Sequence, residues 1–181
     1  FLPVWYEKTL VEWKLREKGG GLVKIHPADS DLLNRCSRDS QNRLLTPSGE
    51  TQLTTTANHY GYVLIEDTPQ KCVISMTGSQ LKHSRYFNTL IQGTKMDGEK
   101  GSFTPPSYSH WYTIKTQTES NDRGSWYSYS ISQERSLNTK ETDLFTEAKD
   151  FSEFCAGGGM NQLPNKSANT EAIEDNSKAL Y

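Results

Sequence analysis

YGYVLIEDTPQKCVISMTGSQLKHSRYFNTLIQ, residues 60–92, holds two strand-like runs and one helix-like run in direct succession. Tyr60–Glu66 and Lys71–Met76 are rich in β-branched and aromatic residues. The turn-like Asp67-Thr68-Pro69-Gln70 between them completes a predicted hairpin. From Ser79 to Gln92, Leu81, Phe87, Leu90 and Ile91 recur close to helical spacing, which predicts a helix.

Downstream, Gly93 to Pro106 reads as a Gly/Pro loop. Tyr108–Thr118 and Ser125–Ser132 form a second predicted hairpin across Glu119–Gly124. Thr142–Cys155 places Leu144, Ala148, Phe151 and Cys155 on one face, predicting an amphipathic helix that Gly157–Gly159 ends. Upstream, residues 3–14 (PVWYEKTLVEWK) read as a long strand. Gly19-Gly20-Gly21 breaks the chain, and Leu22–Ile25 is a short extended piece stopped by Pro27. Residues 27–57 are polar and turn-rich, with one helical turn expected over Asp29–Arg35 and a turn at Pro47-Ser48-Gly49. A loop of that length inside a domain is often functional.

Strand plus hairpin, helix, then hairpin is the succession of an OB-fold. The expectation is a mostly β, α+β, OB-fold-like Greek-key barrel with one inserted helix and a C-terminal helix. It occupies residues 1–155, and residues 156–181 form a flexible, mildly acidic tail. That tail has no aromatic before Tyr181 and no apolar run, so it cannot bury enough surface to offset its ordering entropy.

The formal net charge of -2 over 181 residues argues against a polycation, so any phosphate-binding surface must come from arrangement. Cys36, Cys72 and Cys155 are odd in number and widely spaced, the pattern of free thiols in a reducing compartment. No run approaches the ~18 apolar residues of a membrane span. The sequence opens on Phe1 rather than Met, which leaves room for a preceding segment. His26, His59, His83 and His110 are scattered without a metal-binding spacing, and no carboxylate pair suggests acid–base chemistry. The expectation is a protein with no cofactor, no metal and no enzymatic reaction.

Binding is better supported. Lys82 and Arg85 sit three apart, on one side of the predicted helix, and Lys95 and Lys100 follow in the loop. This reads either as a solvated basic face or as a face that tracks phosphates. In the second hairpin, alternation puts Tyr127, Tyr129 and Ile131 on a core face, and Trp126 among small hydroxyls on the other. Trp126, with Trp111, Tyr108 and Trp13, could stack unpaired bases, or could simply steady the sheet by cross-strand pairing. Arg16, with Lys14 and Lys18, adds cations near Trp13.

Three segments resemble a group of bacteriophage proteins: Ile74–Asn88, Gly101–His110 and Glu119–Trp126. Trp13 and the glycines after it are similar to that group's opening. The resemblance spans most of residues 3–155 and implies a protein of phage replication or recombination that binds single-stranded DNA in the cytoplasm of the infected bacterial host. The tail lies outside the resemblance. It is similar in part to the acidic arms of single-strand-binding proteins, which would make phage replication proteins its partners, and it also reads as an ordinary disordered terminus. A phage structural or assembly protein that binds other proteins, as an oligomer or otherwise, is the alternative.

Overall fold

The computed structural model describes residues 1–122 and 124–159. The expected tail therefore lies outside the described residues except for Ala156–Gly159, which close the last helix and its turn.

The chain begins with β1 (Leu2–Lys14), which turns back through Gly19–Gly21 into β2 (Leu22–Pro27). All three glycines have left-handed φ (103°, 64° and 103°), a conformation that a Cβ penalises. The polar stretch that follows is only partly a loop. It contains a one-turn helix at Leu33–Arg35 and the short strands β3 (Ser37–Arg38) and β4 (Leu44–Leu45). Asp39 organises the connection between those strands, accepting from the Gln41 and Arg43 amides and from Arg43 Nε at 2.7 Å.

β5 (Thr51–Ile65) starts nine residues earlier than the hairpin reading placed it. Thr54, Thr55 and Thr56 are β-branched and suit a strand, but their polarity made the segment resemble a loop. β5 turns into β6 (Thr68–Thr77) through Glu66 and Asp67, both left-handed (φ 49° and 59°). That two-residue turn overlaps the expected Asp67–Gln70 turn only at Asp67, and Pro69 falls inside the outer strand β6, where a missing amide is tolerated.

α1 (Leu81–Gly93) follows as expected. The Gly/Pro segment then makes a small hairpin, β7 (Met96–Gly98) with β8 (Gly101–Phe103). The long hairpin of β9 (His110–Asn121) and β10 (Gly124–Ser136) and the closing helix α2 (Thr142–Ala156) complete the order.

All strand pairings are antiparallel. β1 lies between β2 and β5, while β4 and β6 share the other edge of β5. Phe1 exchanges two backbone hydrogen bonds with Tyr112, at 2.6 and 2.8 Å, which stitches the β9–β10 hairpin to the start of β1. The result is mostly β with two helices, an open, barrel-like fold consistent with the expected α+β, OB-like architecture.

Residues alternate across β5, so its two faces build two cores. On one face Ala57, with Met76 of β6, packs against Phe87 of α1 and Tyr112 and Ile131 of the hairpin. On the other, Leu2, Val4 and Tyr62 pack against Trp111 and against Leu144 and Ala148 of α2. α2 covers only one end of that second face. The other end stays open as a shallow cavity of about 340 Å³ bordered by Trp13, Leu22, Ile25 and Val73. Its floor is polar: Asn58 donates to Thr9 Oγ1 at 3.3 Å and accepts from Ser75 Oγ at 2.7 Å.

Candidate functional site

The sequence-predicted binding residues fall into three places. Lys82 and Arg85 are both exposed on α1, as their spacing requires, with Lys95 just beyond the helix and Lys100 in the turn of β7–β8. Lys95 donates to Thr104 Oγ1 at 2.5 Å. Lys82 is neutralised: its Nζ lies 2.6 Å from Glu119 Oε2. This ammonium is the main reason that the Glu119 carboxyl is held down to about 2. Arg85 has no carboxylate partner among the described residues. Tyr86 beside it is 51% exposed and was missed as a stacking candidate, although its segment was singled out.

Trp13 and Arg16 form the second group, at the β1–β2 end of the open sheet face. The Trp13 ring is 39% exposed, and Arg16 opens the short helical turn Arg16–Lys18 after β1. This is not continuous with the α1 face, because Trp13 lies on the opposite side of the sheet from the core that α1 covers.

The third group is structural, and here the stacking expectation is corrected. Trp111 is 3% exposed and donates from Nε1 to Glu141 at 2.9 Å. Arg135 grips the same carboxylate at 2.7 and 2.9 Å and is the first cause of its low value of about 2. A ring so enclosed can stack on no base. Tyr108 is half-buried against the same core, its ring 5.2 Å from that of Phe145.

Trp126 is half-buried and its ring N–H is enclosed, so the prediction of an open ring on that face is also corrected. Glu119, directly across from Trp126, meets Lys82, so the hairpin's expected outer face turns toward α1 at this end. The face expected to be core holds only partly. Ile131 is buried and Tyr129 packs on the core, whereas Tyr127 is 73% exposed.

A further enclosed pair sits beneath α1. His59 Nε2 and Ser84 Oγ are 2.9 Å apart, and the imidazole lies between the rings of Tyr6 and Phe87, at 4.9 and 5.0 Å. Burial pushes this imidazole down to about 4, so it is neutral at physiological pH. Both partners are buried, each 1% exposed, and among the described residues no carboxylate contacts the pair.

Cys36, Cys72 and Cys155 are free thiols. Among the described residues no cluster of metal-ligating side chains occurs, and no helix is long and apolar enough to cross a membrane.

No curated protein and no solved structure matches the chain. A family model described as "Pam3 phage gp34-like protein" matches residues 1–161, which include both helices, both cores and every candidate binding residue placed above. The chain belongs to this bacteriophage protein family.

Proposed function

We propose that this phage protein binds single-stranded DNA, with the exposed face of α1 as the contact surface. The observation that carries the reading is the adjacency of Arg85, a cation without a carboxylate partner among the described residues, and the exposed ring of Tyr86. α1 itself carries no Asp or Glu. Phosphates would be held by Arg85, Lys95 and Lys100, and bases would stack on Tyr86, each stacked ring contributing roughly 1–3 kcal/mol. Replication or recombination in the host cytoplasm is the setting, with replication proteins as further partners. Fluorescence anisotropy with labelled oligo-dT tests the proposal. Binding should weaken steeply with salt, and Arg85→Ala and Tyr86→Ala should each weaken it without loss of fold. Absence of binding at low salt sinks the reading.

A second reading, a phage assembly protein whose partner is protein, is favoured by the open sheet face. Trp13, Leu22, Ile25 and Val73 are large, apolar and exposed together there. Contiguous exposed apolar surface marks protein contacts more often than phosphate binding. Size-exclusion chromatography with and without oligonucleotide separates the two, since a defined oligomer indifferent to DNA supports the second.

A further inference from the structure

We infer that the cavity between β1 and α1 receives a single nucleobase of the bound strand, an inference that rests on the single-stranded DNA reading and adds a base-recognition site to it. The cavity, of about 210 Å³, is walled by Trp5, Tyr6, His59 and Ile91 and bordered by Asn88 and Gln92. Typical small-molecule sites start near ~300 Å³. This space is therefore matched to one ring system rather than to a whole nucleotide.

The lining has the chemistry of base recognition. A β-bulge between Pro3 and Trp5 interrupts the alternation of β1 and brings Pro3 and Tyr6 to the same side of the sheet, and Trp5 between them also borders the cavity. Trp5 and Tyr6 are half-buried, so each is fixed by its neighbours and still reachable. Asn88 and Gln92 are one helical turn apart on the same side of α1, and among the described residues neither carboxamide is hydrogen-bonded within the protein. Each offers a donor and an acceptor, the pair of groups that reads the edge of an unpaired base while a ring covers its face. The neutral His59 wall adds no charge that would demand a counter-ion. The mouth opens beside the same helix whose outer side carries Arg85 and Tyr86, so a strand lying on α1 would have a base within reach.

Two measurements test this. In oligonucleotide titrations, the double variant Asn88→Ala/Gln92→Ala should bind about tenfold more weakly, with the slope of affinity against salt unchanged, because no phosphate contact is removed. In a second experiment, deoxyadenosine or thymidine is added to the free protein and tryptophan fluorescence is followed. Quenching is expected for the wild type, and it should be lost in Trp5→Phe and reduced in the double variant, with circular dichroism confirming that both are folded. If the wild type binds oligonucleotides and the double variant binds them equally well, the cavity assignment is wrong while the DNA reading stands. Should the wild type bind no oligonucleotide at low salt, the DNA reading falls and nucleoside quenching alone decides the cavity: loss in Trp5→Phe upholds it, and no quenching in the wild type overturns it.

Discussion

Lys82 and Glu119 form an ion pair, Nζ to Oε2 at 2.6 Å, that ties the first turn of α1 to β9. The pair divides the basic face of α1 into a cation held by the fold and one, Arg85, that is not. If the α1 face binds single-stranded DNA, Glu119→Gln should release Lys82 for a phosphate. Affinity for oligo-dT at low salt should rise several-fold. The log–log salt slope should steepen by about 0.7, the increment for one more phosphate on a single strand. An unchanged slope would mean that Lys82 faces no phosphate.

Stability should fall in two steps as the solution is acidified. His59 is neutral in the fold down to about 4, while an unfolded imidazole takes up its proton near 6.5. Between those values the unfolded chain binds more protons, so stability declines as pH falls, by at most about 3 kcal/mol. Glu141 titrates at about 2 instead of 4.5, so the stability it contributes is present above the higher value and is lost as pH falls toward the lower. Urea denaturation at a series of pH values should show both declines. His59→Gln should flatten the first, and Glu141→Gln the second.

Gly61 of β5 pairs with Pro3 at the start of β1. A Cβ there would overlap the Leu2 carbonyl oxygen and crowd the Phe1 ring. Backbone cannot move aside as a flexible side chain can, so Gly61→Ala should destabilise the fold by about 3 kcal/mol. The check is the denaturation midpoint compared with Gly93→Ala, a position with open space around it.

Trp111 and Tyr127 provide a contrast between a core ring and a surface ring on paired strands. Trp111→Ala removes a buried indole from the α2 core and should cost about 3–5 kcal/mol. Tyr127→Ala removes a ring that is mostly in solvent and should change stability by about 0.5 kcal/mol or less. Denaturant midpoints decide it, and comparable losses would place Tyr127 in contacts that its exposure does not suggest.

Much of the architecture could be read from local pattern. The spacing of Leu81, Phe87, Leu90 and Ile91 located α1, and three consecutive glycines located the turn after β1. The first part of β5 was hidden because its face is lined with Thr and Asn, whose polarity resembles that of a loop when partners across the sheet are unknown. The base cavity was hidden for a related reason. Pro3 and Tyr6 are three positions apart in sequence, and strict alternation would send them to opposite faces. A bulge at Pro3–Trp5, which depends on the neighbouring strand, brings both to one side, at a cavity that also takes Asn88 and Gln92 from α1.

The sequence by itself determined the mixture of strands and helices and the apolar faces of both helices. These follow from backbone periodicity and from residues that act within a few positions of one another. Only the tertiary structure decided which aromatic rings face solvent and which cations remain unpaired. Trp111 and Tyr127 sit in paired strands that both carry several aromatic residues, and Lys82 and Arg85 lie on the same turn of one helix. What separates them is the element packed alongside, α2 over Trp111 and β9 against Lys82, and burial and ion pairing depend on that distant neighbour rather than on the local string.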